Sequence, residues 1–253
     1  MTPAQSDEQI LDRLVELNRS GRSRWLAKFQ SRAGAHQYLK VYELFRRFVP
    51  PGSRVLDWGA AGGHFSYFLG RAGYRAAGYS FHPFEFRDWL DDPGYEFTAG
   101  SAAEPVKLPY GDASFDAVAS IGVLEHVRQT GGSEPASLAE IRRVLRPGGT
   151  FVCYHFPNRA SWIEAAASLR RGKHHHPYRF VRADVLRLAR DAGFELLHVE
   201  RYGFLPRNTL HRLGDSLATS SSFARAWDAA DSALGRVFGP VCQNWCFVVR
   251  KPG

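Results

Sequence analysis

A chain of 253 residues with 44% hydrophobic and 13% aromatic content can bury one sizeable core, which excludes global disorder. No run approaches the roughly 18 apolar residues of a membrane helix, and the N-terminus lacks the basic-then-apolar order of a signal peptide. Cys153, Cys242 and Cys246 make neither a disulfide framework nor a zinc spacing, so the expectation is a cytoplasmic protein with no membrane span. The net charge of +8 is unevenly placed: residues 1–54 hold ten Lys/Arg against five Asp/Glu, and residues 155–190 hold eight against two. Residues 95–150 between them are slightly acidic, a distribution that suits an anionic ligand as well as a solvated surface.

In chain order, residues 7–18 set Ile10, Leu11, Leu14, Val15 and Leu17 near one helical face. A second helix is predicted from Trp25 to Phe48, stopped by Pro50-Pro51-Gly52. The period then changes. Strands are predicted over 54–57, 74–79, 95–99, 115–120, 150–155, 194–201 and 242–250, with helices over 64–72, 84–90, 135–145 and 182–192. Such alternation implies an α/β fold with a mostly parallel sheet covered on both faces, and ligands bound beyond the carboxyl ends of the strands. Residues 1–50 read as an N-terminal helical cap and 51–253 as the main domain, with insertions near 157–181 and 204–240.

The most informative segment is Val55-Leu56-Asp57-Trp58-Gly59-Ala60-Ala61-Gly62-Gly63, a glycine-rich turn between a strand and a helix. Small residues there admit close backbone approach, and the helix start presents free N–H groups. Downstream stand Leu108-Pro109-Tyr110-Gly111-Asp112, then Val123-Leu124-Glu125-His126-Val127, then Glu140-Ile141-Arg142-Arg143-Val144-Leu145-Arg146-Pro147-Gly148-Gly149-Thr150. This ordered series resembles the Rossmann-like methyltransferases that use S-adenosylmethionine, strongly over 53–156 and more loosely over 182–202. The resemblance implies a seven-stranded sheet with the final strand antiparallel. It also implies that Asp57, Gly59, Ala61 and Gly63 surround the methionine portion of the cofactor, and that Ser120-Ile121-Gly122 lies beside the adenine or sulfonium.

Two positions depart from the family pattern. Ser80, followed by Phe81, stands where an acid usually holds the ribose, and Ser101, followed by Ala102, where an acid often meets the adenine. A hydroxyl lacks the bidentate charge of a carboxylate, which costs on the order of 1 kcal/mol or more per site. Glu85 or Asp88 on the next helix offers another ribose ligand. Ala61 replaces a glycine of many members, a change that requires a negative φ.

For the chemistry, His126 after the fourth strand and His155 at the end of the fifth are the candidate bases at the sheet's carboxyl edge. His64 reads as a helix N-terminal residue rather than a catalyst. The run His174-His175-His176 cannot converge on one ion from regular structure and has no acid close in sequence, so no metal is expected. With Arg170-Arg171-Gly172-Lys173 it reads instead as a basic loop that closes over substrate. Cys242 and Cys246, four apart in one extended strand, read as packing residues. The leading function is S-adenosylmethionine-dependent methylation of a small-molecule acceptor, preferably a hydroxyl of a sugar, glycolipid or natural product, with an anionic group for the basic insertions. A nucleic-acid methyltransferase is favoured only by charge, with no RNA-binding module or Asn-Pro-Pro-Tyr-like string beside it. Ser80 and Ser101 motivate a third reading, a non-catalytic methyltransferase-fold binding protein.

Overall fold

The structure is a computed structural model and describes residues 5–21, 26–173 and 175–253. Its centre is a seven-stranded sheet: β1 (Arg54–Trp58), β2 (Arg75–Ser80), β3 (Glu96–Ala99), β4 (Phe115–Ile121), β5 (Leu145–Pro157), β6 (Glu195–Tyr202) and β7 (Asn244–Arg250). The spatial order is β3-β2-β1-β4-β5-β7-β6, with β7 antiparallel to both neighbours and the other pairings parallel. The seven-stranded, mostly parallel α/β arrangement agrees with the sequence reading. Strand order reverses between β1 and β4, which puts the ligand crevice at their carboxyl ends.

Ten helices lie around the sheet among the described residues: α1 (Asp7–Arg19), α2 (Arg32–Ala35), α3 (Tyr38–Phe48), α4 (His64–Arg71), α5 (Arg87–Leu90), α6 (Glu134–Val144), α7 (Trp162–Ser168), α8 (Arg182–Asp191), α9 (Asp215–Ala218) and α10 (Ser221–Val237). Alternate strand residues feed two separate cores, as expected of a sheet covered twice. Val55, Ala76, Ala117, Val152 and Val248 pack with α1, α3 and α4. Leu56, Ala77, Val118, Phe151 and Val249 pack with α6 and α8 on the other face. α1 buries Ile10, Leu11, Leu14, Val15 and Leu17, the face that its sequence period marks. α3 is cemented to α4 by rings: Tyr42 stacks on Phe68 at 4.0 Å, and Phe45 meets Phe65 edge-on at 5.3 Å. Each such pair contributes about 0.5–1.5 kcal/mol beyond area burial.

Four expectations need correction. The helix expected over 25–48 is broken into a turn at Ala27–Phe29 and the two helices α2 and α3; Trp25 lies outside the described residues. The Ser31 hydroxyl accepts from Gly34 N at 3.1 Å and starts a new helix there, a local competition that helical periodicity does not register. The helix expected over 84–90 is the single turn α5, because Phe84 and Phe86 turn inward against Phe97 and Tyr95. β5 begins at Leu145, which pairs with Phe115 across an irregularity at Arg146–Gly149, rather than at Thr150. Cys242 ends a short helical turn and does not share β7 with Cys246; all three cysteines are free and buried.

Charged side chains join the N-terminal helices to residues 204–240. Arg207, only 8% exposed, pairs with Asp228 and with Asp231 at 3.0 Å, while Lys40 reaches Ser232 at 2.9 Å and His36 bonds Asp228. Arg32 in α2 pairs with Glu8 and Asp12 of α1. Buried charges of this kind are tolerated because each has an opposite partner. Among the described residues, no helix is long and apolar enough to cross a membrane.

Candidate functional site

The glycine turn is shaped by its backbone. Gly59 has φ 87° and Gly63 φ 70°, values that L side chains rarely adopt. A Cβ at Gly59 would lie 2.2 Å from Val123 Cγ2, and one at Gly63 2.3 Å from the Phe86 ring. Both glycines are therefore required by sterics as well as by φ. Ala61 is absent from the positive-φ residues, which meets the condition its substitution imposes. Gly59 N and Ala60 N donate to Tyr79 O at 2.7 and 3.0 Å, fixing the turn to the end of β2. No side chain caps α4, so its first-turn N–H groups face the turn without a protein acceptor from a cap.

Asp57, the penultimate residue of β1, is buried at 3% exposure. The Ser66 hydroxyl donates to its Oδ2 at 2.6 Å, and the Tyr95 hydroxyl lies 2.7 Å from Ser66 Oγ. Burial raises the Asp57 carboxyl to about 6 against the opposing bonds from Ser66. A carboxylate held this close to neutrality gains from a nearby ammonium, so the turn fits the amino-acid end of the expected cofactor. Ser80 is buried, and its Oγ already accepts from His82 N at 3.1 Å. Phe81 follows it, half-buried against Tyr79. Ser101 and Ala102 are exposed beyond β3, the Ser101 hydroxyl accepting from Ala103 N at 3.2 Å. Glu85 and Asp88 are exposed. Ile121 is half-buried at the end of β4, next to Gly122 with φ 81°. Asp57, Gly59, Ala61, Gly63, Ser80 and Ile121 thus stand at or just past the carboxyl ends of β1, β2 and β4, where a reversal of strand order favours a ligand crevice, and Ser101 and Ala102 follow β3.

Across that crevice, His155 holds φ 70°, one of three positive-φ residues other than glycine among the described residues. Such a backbone costs about 1–3 kcal/mol. Tyr202 at the end of β6 secures it: the hydroxyl accepts from His155 N at 2.8 Å and lies 2.9 Å from Nδ1. The Tyr38 ring bridges the two halves of the site, 4.9 Å from His64 and 5.9 Å from His155. Burial, reinforced by Lys28 and neighbouring histidines, lowers His155 to about 3. Burial alone lowers His64, the first residue of α4, to about 4. Both rings are therefore neutral at pH 7.

His126 lies in the turn Leu124–Thr130, with Nε2 3.7 Å from Glu125 Oε1. Glu125 is buried, which raises its carboxyl to about 8. His176 donates its backbone N–H to Glu164 Oε2 at 2.8 Å, and its Nδ1 lies 3.1 Å from Oε1. Its ring centroid is 5.5 Å from that of His126. His174 lies outside the described residues. Sequence reasoning missed Tyr38, Tyr202, Glu125 and Glu164. Only Glu125 carried a signal, inside the Leu-Glu-His-Val string; the others arrive from elements whose neighbours sequence does not specify. Arg128, Arg159, Tyr178, Arg179 and Arg187 line a separate cavity of about 440 Å³ beside the 157–181 insertion. Arg128 is tied to Glu134, and Arg159 and Arg187 to Asp184.

Comparisons with known proteins bear on this geometry. A family model described as a methyltransferase domain matches residues 24–199. A ubiquinone/menaquinone biosynthesis C-methyltransferase of Bordetella avium is 31% identical over 134 residues, 49% of this chain and 49% of its own. The chain spans about half the length of the curated relatives it matches. The Burkholderia thailandensis 1,6-didemethyltoxoflavin-N1-methyltransferase, solved with S-adenosylhomocysteine, superposes with a TM-score of 0.57 at 18% identity, covering 100% of this chain and 93% of that one. Phosphoethanolamine N-methyltransferase 2 of Haemonchus contortus, solved with S-adenosyl-L-methionine, gives 0.57 at 20% identity over 85% of this chain and 53% of that one. These last two share the fold. The family match covers most of the chain and includes the turn whose carboxylate, glycines and uncapped helix suit S-adenosylmethionine: the protein belongs to the methyltransferase domain family, which uses that cofactor.

Proposed function

We propose that the protein transfers a methyl group from S-adenosylmethionine to a small-molecule acceptor, preferably a hydroxyl of a sugar, glycolipid or natural product. The observation that carries this reading is the strained, neutral His155, linked through Tyr38 to the residue that follows the glycine turn. Strain maintained by a dedicated tyrosine is characteristic of a functional position. When bound, the cofactor supplies an electrophilic methyl: the acceptor's lone pair forms the new carbon bond, the carbon–sulfur pair returns to sulfur, and S-adenosylhomocysteine and a proton remain. Asp57 and the α4 N–H groups bind the amino-acid end, and the crevice walls orient the acceptor, which supplies much of the rate. His155 would take the proton at Nε2 in the tautomer that carries its ring hydrogen on Nδ1, the atom 2.9 Å from the Tyr202 hydroxyl. Desolvation makes it a weak base, so it acts late, after the acceptor oxygen has given electron density to carbon. His126 is the lesser candidate, because Glu125 and His176 already surround it.

The exposed Arg170, Arg171 and Lys173, with Arg179 in the nearby cavity, support an acceptor carrying an anionic group. A second reading, a binding protein that uses the fold without transfer, is favoured by Ser80 spending an acceptor site on its own turn. Calorimetric titration with S-adenosylhomocysteine separates the two. Micromolar binding followed by turnover of a hydroxylated small molecule is expected. No measurable binding would leave only the second reading, and faster turnover of RNA or DNA would overturn the acceptor class.

A further inference from the structure

Three metal-ligating side chains converge at the carboxyl edge from segments far apart in sequence. Glu125 and His126 stand in the turn after β4, and His176 comes from the 157–181 insertion. One donor atom from each lies within 4.8 Å of the others. Glu125 is 2% exposed, and its Oε2 is buried with no hydrogen-bond donor. A buried carboxyl oxygen without a hydrogen-bond partner requires an explanation, and ligation of a cation by Glu125 supplies one. A second observation points the same way. Glu164, itself 3% exposed, holds His176 by both the ring Nδ1 and the backbone N–H, so Nε2 is the ring nitrogen on the side away from Glu164. A carboxylate behind an imidazole is how metal-binding histidines are oriented.

We infer that Glu125, His126 and His176 bind a divalent first-row transition metal, zinc foremost, with Glu164 as the residue that positions His176. Two imidazoles and one carboxylate suit zinc, cobalt or nickel, whereas magnesium and calcium prefer all-oxygen sets. Tetrahedral zinc holds its donors about 3.5 Å apart. Closing from the present spacing, within 4.8 Å, to that distance requires the donor side chains to shift toward the ion. Three protein ligands leave a fourth position for water or an exogenous oxygen. A Cβ on Gly122 would lie 3.6 Å from Glu125 Oε1 and 4.0 Å from the His155 Cβ, so Glu125 and His155 flank one residue. An acceptor hydroxyl on the ion would be acidified. That consequence rests on the methyl-transfer reading; the binding site does not.

The test is zinc chloride titration of the chelator-stripped full-length protein, in competition with a chromogenic chelator. One zinc per chain is expected. Glu125→Gln and His176→Ala should each weaken binding at least 100-fold, and Glu164→Gln 10- to 100-fold. Thermal melts without metal check that each variant folds. His198, Glu200 and Cys246 form a second cluster within 4.8 Å, so Cys246→Ser is the control and should leave affinity unchanged. Cobalt substitution should give visible d–d bands with no thiolate charge transfer. Wild-type zinc affinity no greater than that of a folded His126→Ala/His176→Ala variant would overturn the assignment. So would a thiolate–cobalt band lost together with zinc binding in Cys246→Ser. S-adenosylhomocysteine titration of the metal-free protein reads the methyltransferase proposal separately, so either idea can fail alone.

Discussion

The two sides of the crevice are built on opposite principles. The glycine-turn side comes from one short stretch, Asp57 to Ser66, where a strand end, two positive-φ glycines and a helix start follow one another. The histidine side gathers His155, Tyr202, Tyr38, Glu125, His176 and Glu164 from β5, β6, α3, the turn after β4 and the insertion. A binding function that one turn can perform is written locally. A function that selects a partner is assembled from whatever the topology brings to the same edge, which leaves it free to vary on a constant scaffold.

The largest expected effect tests whether the local side is fixed by sterics. Gly59→Val combines a φ of 87° with a Cβ 2.2 Å from Val123, and should lower stability by about 2–4 kcal/mol in denaturant unfolding. A loss below about 1 kcal/mol would mean that Val123 and the turn yield easily. Next is His155→Asn, which keeps a residue tolerant of the left-handed region but removes the ring. We expect kcat to fall about 100-fold while stability changes by less than about 1 kcal/mol, since general-base contributions are of that order. Equal kcat for mutant and parent would move the chemistry away from His155.

The pH dependence of cofactor binding sharpens the comparison further. Asp57 sits at about 6 in the folded protein against 3.8 in the ordinary case, so the native state binds the extra proton in that window. This group's contribution to stability therefore falls as pH rises from about 4 through 6 and stays lower above. Cofactor affinity should move oppositely, because the ammonium needs the carboxylate. S-adenosylhomocysteine should bind up to about tenfold more weakly per pH unit below 6, reach a plateau above 7, and lose this slope in Asp57→Asn. A flat profile in the parent would detach Asp57 from the ligand. The smallest effect belongs to the insertion: neutralising Arg170, Arg171 and Lys173 together should raise the acceptor KM about three- to tenfold at low salt and less at high salt, with cofactor affinity unchanged. Unchanged kinetics at both salt levels would reduce those charges to a solvated surface.

What could be read from sequence follows the same division. The turn, the strand rhythm and the buried face of α1 were legible because each is periodic or contiguous. The break at Ser31 was not, since one side-chain-to-backbone bond outweighed a helical pattern that continues across it. His155 was legible as a residue at a strand end. Its left-handed backbone was not, because that depends on a tyrosine 47 positions away. The three adjacent histidines suggested no metal, since adjacency in sequence sends neighbouring side chains apart. The acid that holds His176 lies 12 residues earlier and meets it only through the fold of the insertion.

The position of β7 has a consequence for how the molecule is made. Among the described residues β6 pairs with β7 alone, and β7 lies between β6 and β5. Until residues 244–250 have left the ribosome, β5 presents an open edge bearing Phe151, Val152 and Cys153, and β6 with its Tyr202 has no sheet to join. Unpaired apolar edges of that length recruit other chains. The nascent protein therefore passes through a sticky stage that lasts until β7 emerges, and His155 acquires its tyrosine in that same step.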